Sequence, residues 1–197
     1  MSARKLALMS ILTAAALIVF IIEAQVPIPV PIPGAKLGLA NAVTLFALFL
    51  NPKEGFKKSP VKASIKDSEK DQKKENAAPA LTVADVFMIL VCRIILGAVF
   101  SGRFVAFIYS ISGGLLGFAA VALLKGFVAD KQIWVCGVAG AVFHNIGQIV
   151  AAMLVMGTPA IAALLPAMTI IAIITGAITG LAAQYTAARL NRVKHLP

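Results

Sequence analysis

Residues 133–156 read IWVCGVAGAVFHNIGQIVAAMLVM, a run of 24 residues in which no Asp, Glu, Lys or Arg occurs. Wound as an α-helix at about 1.5 Å per residue it rises about 36 Å, enough to cross a hydrocarbon layer of about 30 Å. Its polar side chains are His144, Asn145 and Gln148. At about 100° per residue, His144 and Gln148 stand about 40° apart on the helical wheel, and Asn145 occupies the adjoining wedge. A helix built for a bilayer thus carries polar groups on one side at mid-depth.

The surrounding chain has the same character. Apolar residues make up 60% of the 197 positions and charged ones only 13%, with a mean hydropathy of +0.93. A soluble domain of this size cannot hide so much apolar surface. Six apolar runs can be marked: Leu6 to Ile22, Leu37 to Leu50, Val83 to Phe100, Phe104 to Leu124, Ile133 to Met156 and Ala160 to Ala187. Five are long enough to span; the second is short, and either recruits residues from the loop before it or enters without crossing. The expected fold is an all-α integral membrane protein, a six-transmembrane-helix bundle. The first run follows Arg4 and Lys5 but is too long for a cleaved signal and ends in Glu23-Ala24-Gln25-Val26-Pro27, so it reads as a retained helix.

Charge is concentrated, because residues 51–82 hold 13 of the 26 charged side chains. That stretch mixes Lys, Glu, Asp, Ser and Ala and cannot bury a core, so it reads as a flexible charged loop within a single membrane domain of 1–197. The formal charge of +10 belongs to membrane orientation, not to nucleic acid: with the N-terminus inside, 15 of the 18 Lys and Arg fall on the cytoplasmic side. Lys36 and Arg103 then lie outside and Arg93 within a span. Both termini are therefore expected in the cytoplasm.

Ionisable groups inside a span usually face a cavity or a partner. The expected set lies in the outer half: Glu23 at the end of the first helix, Lys36 and Asn41 at the start of the second, Arg93 in the third, and His144, Asn145 and Gln148 in the fifth. A pocket so lined suits an anionic or strongly polar head, with apolar walls for a ring or chain. Plainer roles stand beside this one. Arg93 can be read as neutralising Glu23 or Asp85, His144 as a neutral ring bonded to a carbonyl, and the amides as interhelical fasteners.

Between the first two runs, Pro27, Pro29, Pro31 and Pro33 alternate with large aliphatics and end at Gly34, which dictates a stiff extended loop read as a lid. Ala3, Ala7, Ser10 and Ala14 share one face of the first helix, for internal packing or for docking another membrane subunit. Gly113 and Gly117, Gly137 and Ala141, and Gly176 and Gly180 repeat that spacing. Cys92 and Cys136 read as two buried small hydrophobes. No P-loop, metal-ligand spacing or aspartate cluster is present, so no cofactor, metal or catalytic residue is assigned and any ATP must be used by another chain.

The segment Pro31-Ile32-Pro33-Gly34-Ala35-Lys36-Leu37-Gly38-Leu39-Ala40-Asn41, with Arg93-Ile94-Ile95-Leu96-Gly97, Ser101-Gly102, Ser112-Gly113-Gly114-Leu115 and Gly140-Ala141-Val142-Phe143-His144-Asn145-Ile146-Gly147-Gln148, resembles a bacterial family. It is called Gx transporter, or heptaprenyl diphosphate synthase component I. That family is similar to the substrate-binding S-components of energy-coupling factor (ECF) transporters. The resemblance implies an inner-membrane subunit with six helices, an outward ligand pocket under the loop between helices one and two, and small residues of helix one against a coupling subunit served by ATPases. The long charged loop departs from the compact connection of that pattern. The expected function is import of a small anionic or amphipathic metabolite such as a vitamin, flavin or quinone/isoprenoid precursor. The alternative is a non-catalytic membrane subunit supporting isoprenoid or quinone biosynthesis. An enzyme acting on a lipid diphosphate, with His144 as acid or base, lacks the carboxylates to hold its metal.

Overall fold

The computed structural model describes residues 2–25, 36–50, 81–102, 104–128 and 132–193. The proline-rich stretch (Pro27, Pro29, Pro31, Pro33, Gly34), residues 51–80 of the charged segment and Arg103 lie outside them. The described residues are helical, with no strand among them: α1 (Ala3–Glu23), α2 (Asn41–Phe49), α3 (Val83–Ser101), α4 (Phe104–Leu124), α5 (Ile133–Met156) and α6 (Leu165–Val193). A 3-10 turn over Pro159–Leu164 leads into α6. Five of these helical stretches are long and apolar enough to cross a membrane, so the chain is a multi-pass membrane protein. Helix α2 has 9 residues and rises only about 14 Å.

Local chemistry sets the helix ends. The Ser2 side chain accepts from the Lys5 amide at the start of α1. Thr82 and Asp85 form a reciprocal capping box on α3, satisfying donors that a helix start leaves free. Lys5 Nζ lies 2.7 Å from Asp85, which ties the starts of α1 and α3 together. Leu81, at the end of the charged segment, is buried in the core. Gly102 and Gly157 close α3 and α5 in the left-handed region, at φ 61° and 62°.

Glycine decides how closely the last three long helices pack. A Cβ on Gly137 would come 2.5 Å from the carbonyl oxygen of Gly176, and one on Gly147 would come 2.7 Å from that of Ser112. Backbones of α4, α5 and α6 thus touch directly, the close approach that small residues permit in membranes. Helix α2 sits against α1 and α3–α6, its Leu45, Leu48 and Phe49 buried with Met9, Leu12 and Val86. The apolar side chains left outside form a lipid-facing surface; Leu154 is 79% exposed and Phe104 73%. Cys136 is buried, but Cys92 is exposed on α3, so the expectation of two buried cysteines fails for Cys92. The outer face of a bilayer helix is apolar too, and an apolar neighbourhood alone does not tell core from lipid.

Candidate functional site

Five chain segments bring polar groups together inside the bundle. Glu23 is the last residue of α1, Lys36 opens the segment before α2, Asn41 begins α2, Arg93 lies midway along α3, and His144 and Gln148 lie midway along α5. Glu23, Lys36, Arg93, His144, Asn145 and Gln148 are all buried. Such groups need partners in a medium without water.

The partners form a line. Arg93 donates from Nη2 to Oδ1 of Asn41 at 3.0 Å, and Nδ2 of Asn41 is 3.0 Å from Nδ1 of His144. On the other side of the ring, Nε2 of His144 is 2.7 Å from Nε2 of Gln148, whose Oε1 accepts the backbone N–H of Lys36 at 3.1 Å. Arg93 and the Lys36 amide can only donate, so each takes the oxygen of its amide partner and turns that amide's NH2 toward the imidazole. A neutral imidazole accepts at one nitrogen and donates at the other. Two donor chains therefore converge on a ring able to receive one of them. A ring donating at Nε2 would need the Gln148 oxygen that the Lys36 N–H holds, and in that tautomer the 36–40 segment and the ring would compete for it.

Glu23 is turned toward the same segment, where the backbone N–H groups of Gly38 and Leu39 donate to its Oε1. The Lys36 ammonium lies over the Phe20 ring, 2.9 Å from its centre, a cation–π contact. Two cations and one carboxylate thus surround the line. Asp85 is held by Lys5, whereas the charge of Glu23 acts favourably on Arg93, whose hydrogen bond goes to Asn41. The Nε of Arg93 is buried and has no hydrogen-bond partner among the described residues.

Asn145 does not join the line. Its Nδ2 donates to the Met168 carbonyl of α6 at 2.8 Å, and it fastens α5 to α6. One step of about 100° turns it away from His144. Ala3, Ala7, Ser10 and Ala14 are exposed, while Met9, Leu12, Ala16 and Phe20 of the same helix are buried.

Glycines form the seat of His144, and one of them, Gly113, was expected only to let helices approach closely. A Cβ on Gly113 would come 2.9 Å from the imidazole Cε1 and Nδ1, and one on Gly38 3.0 Å from Cδ2. Gly38 also sits at φ 81°, in the region where side chains are strained. The signal was in the sequence, as Gly38 three residues before Asn41 and Gly113 in a glycine pair. Only the fold shows that both face one ring. Thr44 adds a buried hydroxyl without a partner among the described residues. It lines a void of about 20 Å³ with Asn41, Leu90 and Gly114, and a second of about 20 Å³ lies across Asn41, beside Gly38 and Thr179. Each has room for about one water. Among the described residues, no group of three His, Cys, Asp or Glu side chains comes together to hold a metal.

Neither a curated protein nor a solved structure matches the chain. The family model described as heptaprenyl diphosphate synthase component I matches residues 12–58 and 77–186, which take in Glu23, Lys36, Asn41, Arg93, His144 and Gln148. With a match over most of its length, the chain belongs to the heptaprenyl diphosphate synthase component I family.

Proposed function

We propose that the chain is the membrane-embedded substrate-binding subunit of an importer of the ECF type. Its substrate is a small anionic or amphipathic metabolite, and the subunit itself is not an enzyme. The observation that carries this reading is the buried line from Arg93 through Asn41, His144 and Gln148 to the Lys36 backbone. Ionisable groups at such depth are retained mainly for ligands, ions or partners. Arg93 and Lys36 hold the anionic part of the ligand, Asn41, His144 and Gln148 orient its polar head, and Glu23 tunes the charge. Asn145 supports the site from behind by fixing α5.

In this reading the chain is one six-span domain of a bacterial inner membrane, with α2 and its preceding residues as the sixth span. Both termini and the charged loop are cytoplasmic, as the distribution of Lys and Arg favours. The site then lies in the outer half, beneath a gate formed by Pro27, Pro29, Pro31, Pro33 and Gly34. Ligand release draws on an ATPase-driven coupling subunit docked on Ala3, Ala7, Ser10 and Ala14, a face whose exposure supports this role.

The family description favours a second reading, a non-catalytic membrane component that supports a heptaprenyl diphosphate synthase. Affinity purification from the native membrane in mild detergent, with mass spectrometry of the companions, separates the two. A membrane coupling subunit with paired ATPases is expected. A prenyl synthase recovered in its place overturns the importer reading and supports the second.

A further inference from the structure

An apolar groove lies between α3 and α4, open on the outside of the bundle. It measures about 310 Å³ and is lined by Val91, Ile94, Ile95, Phe107, Ile111 and Leu115 without a polar atom at its surface. Phe87 lines the end nearer the start of α3 and packs against Phe118, with ring centroids 5.6 Å apart and planes tilted by 50°. Ile95 and Phe87 are eight residues apart, so the groove runs about 12 Å along the helix.

Only a thin wall separates this groove from the polar line. Ile94 lines the groove, and Gly114 and Leu90 line the inner void beside Asn41. The position a Cβ would take on Gly114 is 3.0 Å from Cδ1 of Ile94, 3.5 Å from Cδ1 of Leu90 and 3.7 Å from Nη2 of Arg93. Because residue 114 is glycine, the guanidinium is screened from the groove by two aliphatic ends. The Ile94 atom nearest that Cβ position, Cδ1, is the free end of its side chain, so a change of rotamer is the smallest movement that would open a path. Behind that screen, Arg93 is 3% exposed, and its Nε has no hydrogen-bond partner among the described residues.

We infer that the α3–α4 groove is a lateral binding site for a single-chain amphiphile, whose apolar chain lies along Ile95, Ile111 and Leu115 and whose anionic head passes Gly114 to reach Arg93. The inference rests on the proposed binding role of Arg93 and narrows the substrate class to a lipid-soluble anion, for which the groove adds a lateral route from the bilayer. A chain alone would gain little by leaving lipid for the groove, since both are apolar. Selection comes from the head, for which a buried guanidinium offers charge-assisted hydrogen bonds.

The test uses the full chain in phosphatidylcholine nanodiscs, with palmitate carrying a mid-chain diazirine as the probe and the matching hexadecanol as its uncharged counterpart. Light-induced labelling is mapped by mass spectrometry. The expected result is palmitate labelling concentrated on α3 and α4, competed by plain palmitate, and exceeding hexadecanol labelling by about tenfold, the scale of one charge-assisted bond. Arg93→Gln should erase the preference for the acid. Leu115→Trp, a change on the lipid-facing surface that fills the groove, should abolish labelling by both probes. Labelling spread evenly over all lipid-facing helices, or equal for acid and alcohol, overturns the inference. Even labelling in a preparation that still recovers its coupling subunit overturns the lateral site and leaves the binding-subunit reading standing.

Discussion

Replacing Asn41 with Ala removes a side chain that joins three helices through hydrogen bonds. Arg93 loses the acceptor at 3.0 Å, and His144 loses the amide 3.0 Å from Nδ1. A hydrogen bond to a charged group contributes about 1.5–3 kcal/mol, and a buried acceptor left unmade costs about 1–3 kcal/mol. Measured side-chain bonds inside membranes are smaller, averaging about 0.6 kcal/mol. Asn41 also borders both small voids, so its truncation joins them and admits water to the stranded groups. The expected loss is therefore about 2 kcal/mol. Reversible unfolding of the detergent-solubilised chain by steric trapping measures it. Thr44→Ala is the control: it removes a neighbouring buried hydroxyl that makes no hydrogen bond among the described residues, and should change stability by less than about 0.5 kcal/mol. The double variant with Arg93→Gln should show coupling of about 1 kcal/mol, because the two residues share one bond. A loss at Asn41 no larger than the control, with full additivity toward Arg93, would refute the claim that this line holds α2 in place.

Gly38→Ala should destabilise by about 1–2 kcal/mol and weaken ligand retention, since it strains a backbone at φ 81° and brings a methyl 3.0 Å from the His144 ring; thermal unfolding and equilibrium binding read the two effects separately. Gln148→Glu supplies an oxygen to the ring and to the Lys36 amide together, so amide hydrogen exchange at 36–41 should slow by about tenfold, while anionic ligands bind less well beside the new carboxylate. Unchanged exchange would dispose of the competition for that oxygen. Asp85→Ala removes the capping box and the contact with Lys5 and should lower stability by about 1–2 kcal/mol, whereas Lys5→Ala should lower it by less than about 1 kcal/mol.

Apolar run length determined the long helices of this protein, and it did so from the sequence alone. The runs beginning at Val83, Phe104 and Ile133 start where the helices start, because a bilayer accepts only backbone that satisfies its own hydrogen bonds. The polar residues were legible for a related reason: Arg93, His144 and Gln148 stand out where a charge or amide is costly. Residue types could not say which partner each one meets. Asn145 and His144 are chain neighbours and both buried, yet one bonds α6 and the other Asn41. Cys92 and Cys136 have similar surroundings in sequence, and only the packing puts one outside and one inside. Length also fails at α2, where the run 37–50 yields a helix of 9 residues after a turn at Gly38. Hydropathy reports the solvent a segment prefers, whereas hydrogen bonds are directional and join residues 103 and 112 positions apart. The sequence alone determined that this is a membrane bundle with polar groups at mid-depth. The glycine seat of His144, the two donor chains that meet on its ring and the groove behind Ile94 were decided by the tertiary structure, because each depends on contacts shorter than one side chain between helices distant in sequence.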